Sequence, residues 1–169
     1  MKIAVIGYSG AGKSTLARML GERYGIPVLH FDRVQFTPNW QERDRAEAHR
    51  MVHEFMEQPQ WVMDGTYSKF EYERRLEEAD EIVFMDFPRL ACFFRAWKRY
   101  FQFRGGTRAD MADGCIEKMD AEFIWWLLWR GRARKKKERF QRVMEQYPEK
   151  TVVLRTQKEI DRFLEEFSC

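Results

Sequence analysis

The stretch GYSGAGKST at residues 7–15 contains residue types that could hold phosphate. It fits the pattern G-x-x-x-x-G-K-[ST] and lies between a strand-like run and a helix-like run, the usual context of a phosphate-binding loop. The glycines let backbone N–H groups turn inward, and the next helix adds a partial positive charge. Lys13 would neutralise the β and γ phosphates, and the Ser14 hydroxyl would bind Mg²⁺. The predicted nucleotide-binding residues here are Gly7, Tyr8, Ser9, Gly10, Ala11, Gly12, Lys13, Ser14 and Thr15.

Two aspartates follow other strand-like runs, in PVLHFD and WVMDG. Because ligands of open parallel sheets bind at the carboxyl ends of the strands, both acids are expected near the phosphate loop. We predict that Asp32 orients the hydroxyl of a phosphoryl acceptor or takes its proton; a solvated helix-cap acid is the alternative. Asp64 is followed by Gly65, which allows close approach of the backbone.

The acceptor pocket is predicted around Asp32. Phe36 and Trp40 flank Pro38 and would either stack on a planar acceptor or pack onto the following helix. The predicted substrate-binding residues are Asp32, Arg33, Phe36, Trp40, Gly65 and Tyr67.

The three histidines are interpreted as structural. His30 alternates into a strand, which is typical of a core residue. His49 and His53 are four residues apart on one predicted helix, a spacing that suits a metal, but no third ligand follows nearby. A solvated helix face is therefore the favoured interpretation of that pair.

Five strand-like runs alternate with helix-like runs, which predicts a three-layer α/β domain with a five-stranded parallel sheet and helices on both faces. The predicted strands are 2–6, 27–32, 61–65, 81–88 and 151–156. The predicted helices are 13–24, 42–57, 69–80, 89–103, 117 or 121 to 147, and 158–167, with loops at 34–40 and 105–114. One domain is expected over 1–169, with a small helical lid at 104–134 that closes to exclude water.

Composition narrows the class of protein. The chain has 169 residues, 44% hydrophobic and 34% charged, as in soluble globular proteins. The run FIWWLLW at 123–129 is too short to span a bilayer and should bury both of its helical faces. With no signal-peptide pattern and three scattered cysteines, we expect a cytoplasmic protein with reduced thiols and no membrane partner; its oligomeric state stays open.

The charges are unevenly distributed along the chain. Residues 89–142 contain 15 Lys and Arg against 6 Asp and Glu, whereas residues 32–86 contain 7 against 14. The run RGRARKKKERFQR at 130–142 could belong to a phosphate-binding lid or to a DNA-binding helix. Three consecutive lysines cannot share one helical face, and acidic segments would repel DNA, so the lid is favoured, with Lys135, Lys136 and Lys137 in solvent.

The layout resembles the adenylate-kinase-like P-loop kinases over nearly the whole chain. The resemblance rests on GYSGAGKST, on WVMDGTY, and on Asp86-Phe87-Pro88 followed by Arg95 and Arg99 one helical turn apart. It implies that Asp64 helps to hold Mg²⁺ through water. It also implies that one of Arg95 and Arg99 stacks on adenine while the other reaches phosphate.

The same resemblance implies lid arginines and limits the acceptor. Arg130, Arg132 and Arg134 stand where lid arginines would return to the transferring phosphoryl group. Adenylate kinases continue Asp-Gly with Phe-Pro-Arg, whose arginine binds AMP, but this chain has TYS at 66–68. AMP is therefore not the expected acceptor, and the ending HFD is similar to shikimate, gluconate and nucleoside kinases, where an acid contacts the accepting hydroxyl.

A closer resemblance, to the DNA topology modulation proteins (the FlaR-related group), spans the chain through GYSGAGKSTLAR, VLHFDRVQFTPNW, DGTYSKF and RGGTRADMADGC. It implies an effect on DNA topology. The residues favour an ATP- and Mg²⁺-dependent phosphotransferase, and the chain lacks the Asn-Lys-x-Asp motif of guanine recognition. The predicted catalytic residues are Lys13, Asp32, Arg130 and Arg134. A nucleotide-gated DNA-binding regulator and a plain ATPase are the alternatives.

Overall fold

The computed structural model describes residues 1–104, 106, 110–112, 114–117 and 119–167. Its central sheet is parallel, with the strand order β2-β5-β1-β6-β7. The strands are β1 (Lys2–Gly7), β2 (Val28–His30), β3 (Phe36–Thr37), β4 (Gln41–Glu42), β5 (Trp61–Asp64), β6 (Glu81–Met85) and β7 (Thr151–Leu154). The α-helices are α1 (Lys13–Tyr24), α2 (Phe31–Gln35), α3 (Arg45–Met56), α4 (Tyr72–Glu78), α5 (Arg89–Gln102), α6 (Ala121–Leu128), α7 (Arg134–Gln146) and α8 (Gln157–Glu166).

Helices cover both faces of the sheet because its central strands are apolar on both sides. The chain after α8 packs against α1, where the rings of Tyr24 and Phe167 meet at 5.8 Å. α7 packs on β6, where the rings of Phe84 and Phe140 stack at 4.5 Å. Right-handed crossovers place α1 on the face opposite α3, α4, α5 and α7. The predicted α/β fold with five parallel strands is confirmed.

The strand order brings the predicted site residues to one edge. β1 pairs with β5 on one side and with β6 on the other, so Val5 lies opposite Asp64 and Gly7 opposite Met85. β2 pairs with β5, with His30 opposite Asp64. The phosphate loop after β1 and the ends of β2 and β5 therefore share the carboxyl edge of the sheet.

Three predicted element boundaries are wrong. β2 ends at His30 and α2 begins at once, so Asp32 lies in the first turn of a short helix instead of ending a strand. The predicted loop 34–40 contains the end of α2, β3 and a 3₁₀ turn at Pro38–Trp40. The predicted long helix is divided into α6 and α7 by a 3₁₀ turn at Arg130–Arg132, which contains Gly131, a poor helix former.

The apolar run 123–129 buries one helical face and not both. Leu127 is buried, whereas Trp125 and Trp129 are 54% and 48% exposed and stack on each other at 4.6 Å. Of the helices in the described ranges, none has the length and apolar character needed to cross a membrane.

The described part of the predicted lid contacts the hairpin formed by β3 and β4. Met111, Ala112 and Cys115 are buried against Phe36 and Trp40 in a small apolar cluster of their own. Residues 105, 107–109 and 113 of the predicted loop lie outside the described residues.

Candidate active site

The loop between β1 and α1 bends tightly past neighbouring backbone. Gly7 and Gly10 have φ angles of 143° and 76°. A Cβ atom on Gly7 would lie 2.5 Å from the Met85 carbonyl oxygen, and one on Gly10 2.5 Å from that of Cys92, so no larger residue fits. Gly12 caps α1 without a side chain, and the first turn of α1 contains no acid. The backbone N–H groups in the first turn of α1 are therefore suited to bind an anion.

Lys13 lies next to this loop and within electrostatic reach of both predicted acids. Its ammonium donates a hydrogen bond to the Tyr8 carbonyl oxygen at 3.0 Å. Burial lowers the pKa of Lys13, and the charges of Asp64 and Asp32 partly oppose that change. The predicted donor site and the predicted acceptor acid are thus neighbours in the folded chain.

Asp64 is buried at the end of β5 and contacts His30, which was predicted to be a core residue. Its Oδ1 lies 2.6 Å from Nδ1 of His30. Burial alone would lower the pKa of His30, but the hydrogen bond to Asp64 and its negative charge outweigh burial and raise that pKa. His30 therefore fixes the orientation of the Asp64 carboxylate.

Thr66 ties the end of β5 to the phosphate loop. Its hydroxyl donates to the Gly7 carbonyl oxygen at 3.0 Å, while its oxygen lies 3.3 Å from the Gly7 nitrogen. Gly65 is buried against Phe31, where a Cβ atom would lie 2.8 Å from the Phe31 Cβ. Both neighbours of Thr66, Gly65 and Tyr67, were predicted to bind substrate, but Thr66 itself was not.

Asp32 and Tyr67 form the polar centre of the predicted acceptor side. The Tyr67 hydroxyl donates to Oδ1 of Asp32 at 2.6 Å. Burial, followed by the charge of Asp32, raises the pKa of Tyr67, so its hydroxyl remains a donor. Arg33, the next residue in α2, is exposed.

Phe36 and Trp40 contact each other and the lid. Their rings meet edge-to-face at 5.2 Å. The indole N–H of Trp40 donates to the Ile116 carbonyl oxygen at 3.1 Å, and both rings pack against the cluster of Met111, Ala112 and Cys115. Phe36 and Trp40 were predicted either to stack on an acceptor or to pack on the following helix. In the structure they pack against the lid.

Arg95 and Arg99, the two arginines of α5 that were predicted to bind nucleotide, contact different parts of the protein. Arg95 donates to the Ala11 carbonyl oxygen at 2.9 Å and lies 4.1 Å from the ring centroid of Phe87. Arg99 forms an ion pair with Glu117 at 2.9 Å. Arg95 thus supports the phosphate loop from outside, and Arg99 joins α5 to the lid.

The three arginines around the 3₁₀ turn have different surroundings. Arg132 is buried, donates to the Phe87 carbonyl oxygen at 2.5 Å and to Cys92 Sγ at 3.1 Å. Arg130 is exposed. Arg134 is 93% exposed and bonds to Glu138 at 2.6 Å. Arg130 and Arg134 are thus both exposed, and their role at the transferring phosphoryl group stays a prediction.

The three lysines that follow were all expected in solvent, and for one of them this is wrong. Lys135 and Lys137 are exposed, but Lys136 is half-buried, with its ammonium 4.7 Å from the ring centroid of Trp126. The basic run therefore does not form one continuous exposed stripe.

The donor atoms near Lys13 suit a magnesium ion. Mg²⁺ in nucleotide sites is bound by one or two protein oxygens, with phosphate and water in the other positions. Ser14, at the start of α1, and Asp64 supply oxygens of that kind. In the described ranges, no group of three or more His, Cys, Asp or Glu could hold a metal by itself. Ser14 and Asp64 would therefore hold Mg²⁺ together with the phosphates.

The contact of His30 with Asp64 could have been predicted from the register in which β2 pairs with β5. A strand with an acid at its end and a neighbour ending in histidine places the two side chains together when the strands pair in register. Nothing in the sequence alone gave the order of β2 and β5. Thr66 and Lys136 likewise depend on which elements pack together.

Comparison with protein-family models and with curated proteins finds no match. Solved structures do match. A deoxyadenosine kinase from M. mycoides with bound dATP is 16% identical, covers 98% of each chain and has a TM-score of 0.54. The same enzyme with products dCMP and a flexible dCDP is 15% identical, with the same coverage and a TM-score of 0.53. A shikimate kinase from Bacteroides thetaiotaomicron is 16% identical, covers 98% of this chain and 94% of its own, and has a TM-score of 0.54. This chain shares the fold of those P-loop kinases.

Proposed function

We propose that this protein is a phosphotransferase that moves the γ-phosphoryl group of ATP to a hydroxyl of a small acceptor, with Mg²⁺ as cofactor. The observation that carries the proposal is that consecutive residues link the two predicted parts of the site, since Thr66 is hydrogen-bonded to Gly7 of the phosphate loop and Tyr67 to Asp32. A candidate acceptor acid next to a candidate donor loop is the arrangement that phosphoryl transfer requires. The fold shared with deoxyadenosine kinase and shikimate kinase supports the proposal.

In this mechanism the acceptor oxygen attacks the γ phosphorus while the bond from that phosphorus to the β–γ bridging oxygen breaks. Asp32 takes the hydroxyl proton, and the Tyr67 hydroxyl orients its carboxylate. Lys13 and the N–H groups at the start of α1 neutralise charge on the phosphate oxygens. When bound by Ser14 and Asp64, Mg²⁺ supplies further positive charge at the β and γ phosphates.

The acceptor class follows from the surroundings of Asp32. After Asp64-Gly65, where adenylate kinases have Phe-Pro-Arg with the arginine that binds AMP, this chain has no arginine at residues 66–68. The Thr66 hydroxyl is hydrogen-bonded to Gly7. A carboxylate held by a tyrosine hydroxyl suits an alcohol acceptor. We therefore propose a nucleoside, sugar or hydroxy acid instead of a nucleoside monophosphate.

An ADP-release screen with Mg·ATP over nucleosides, sugars and small hydroxy acids tests this function. We expect one acceptor class to raise ADP release well above the background without acceptor. The Asp32→Asn variant should lose that increase and still bind ATP. Hydrolysis that no acceptor changes would identify a plain ATPase, and salt-sensitive DNA binding without any kinase activity would favour the DNA-binding alternative.

A further inference from the structure

The start of α7 and the turn before it present a stripe of side chains to the phosphate loop. The guanidinium of Arg132 lies 3.9 Å from the ring centroid of Tyr8, and the Phe140 ring meets the same ring at 5.1 Å. Lys136 is four residues from each of them. Of these two residues only Phe140 belongs to α7, where side chains four apart share a helical face, so Lys136 lies on the side of α7 that carries Phe140.

The neighbouring charges that affect Lys136 are those of other cations. Burial lowers its pKa, and the charges of Lys13 and Arg139 lower it further. Within the part of the chain that the structure describes, no carboxylate forms an ion pair with Lys136; its ammonium lies over Trp126 instead. Buried like charges without a counter-charge are unfavourable, and an anion from outside the chain would relieve this repulsion.

On the basis of the proposed function, we infer that Lys136 is a second lysine of the donor site and binds the triphosphate of ATP together with Lys13. Arg132 lies on the same stripe, but its guanidinium is held by Phe87 and Cys92. Lys136 has a long flexible stem and can turn from the Trp126 ring toward phosphate.

Binding of inorganic tripolyphosphate, measured by isothermal titration calorimetry, tests this inference without requiring an acceptor or turnover. Lys136→Met removes the charge and keeps a stem that packs on Trp126. Lys135→Met and Lys137→Met remove the same charge from exposed neighbours and serve as matched controls. Since a hydrogen bond between charged groups in a partly buried site is strong, the Lys136→Met variant should bind about tenfold more weakly or worse. The controls should stay within about twofold because exposed charges are screened.

Two further results separate a binding role from a structural one. Lys136→Arg should recover most of the lost affinity, and thermal unfolding of Lys136→Met should match that of the controls. Equal affinity in all three methionine variants, or no tripolyphosphate binding by the unsubstituted protein, would overturn the inference. Selective loss in Lys136→Met together with no ADP release for any acceptor would leave the inference standing and overturn the kinase proposal.

Discussion

The donor side and the acceptor side of this site are built in different ways. The donor side is mainly one continuous loop, residues 7–15, which fits closely against the backbone of Met85 and Cys92. The acceptor side is assembled from separate segments: His30 ends β2, Asp32 lies in the first turn of α2, and Tyr67 comes from the chain after β5. A local motif determines the donor side, and the order of the strands determines the acceptor side.

This difference indicates which side of the site can change its chemistry while the fold is kept. A substitution in the loop meets backbone within 3 Å at Gly7 or Gly10, so its geometry tolerates little change. The acceptor side depends on side-chain contacts such as Tyr67 to Asp32, which substitutions can alter without moving the sheet. Donor chemistry is therefore readable from residues 7–15, and acceptor identity is not.

The strongest test of the donor side is Lys13→Ala. Because Lys13 lies at the phosphate loop and is proposed to neutralise the β and γ phosphates, we expect phosphoryl transfer to fall by about 10³-fold or more. Thermal unfolding should change little, and ADP release at saturating acceptor measures the effect. Turnover close to that of the unsubstituted protein would contradict the donor assignment.

The matching test of the acceptor side is Asp32→Asn, for which we expect kcat to fall about 10²- to 10⁴-fold because the hydroxyl proton loses its acceptor. The ATP dissociation constant should stay nearly unchanged, since Asp32 is not part of the loop. Tyr67→Phe removes only the orienting hydrogen bond and should cost less than Asp32→Asn. If Asp32→Asn weakened ATP binding as much as turnover, the division into two sides would be wrong.

His30→Gln tests the contact between the two sides. His30 orients Asp64, a proposed Mg²⁺ ligand, and residues that orient metal ligands change metal affinity about 10- to 100-fold when replaced. The Mg²⁺ concentration for half-maximal ADP release should rise by about tenfold, with a smaller fall in kcat at saturating Mg²⁺. His53→Gln, at an exposed position of α3, is the control. An unchanged Mg²⁺ requirement would leave His30 with a packing role only.

The sequence predicted most of the fold and the donor side, and less of the acceptor side. The alternating strands and the loop were predicted because period and motif are local. The division between α6 and α7 was missed because every residue of 121–147 except Gly131 tolerates a helix, and the turn is set by packing of Arg132 against Tyr8. The inward position of Lys136 and the pairing of His30 with Asp64 depend on contacts between distant segments, which residue spacing does not contain.

The smallest predicted effect concerns Arg75, which lies below the acceptor side. Arg75 is 0% exposed, and its guanidinium lies 4.2 Å from the ring centroid of Phe31. Among the described residues, none accepts a hydrogen bond from its three side-chain nitrogens. Burial lowers the pKa of Arg75 to about 10, with Tyr72 and Asp64 opposing the change. That shift corresponds to a cost of about 3 kcal/mol for keeping the charge in the folded state.

We therefore expect Arg75→Met to raise the free energy of unfolding by about 1 kcal/mol, since losing the contact with Phe31 offsets about 2 kcal/mol of the gain. The folded pKa is below the unfolded one, so the charge destabilises the fold fully below about pH 10, and this destabilisation declines as the pH rises from there toward the ordinary pKa of arginine. The advantage of Arg75→Met should accordingly shrink in alkaline urea titrations. Arg74→Met, which removes partly exposed ion pairs with Glu57 and Glu78, should instead lower stability by up to about 1 kcal/mol. A loss of stability in Arg75→Met larger than in Arg74→Met would mean that the acceptor side holds Arg75 by a contact stronger than aromatic stacking.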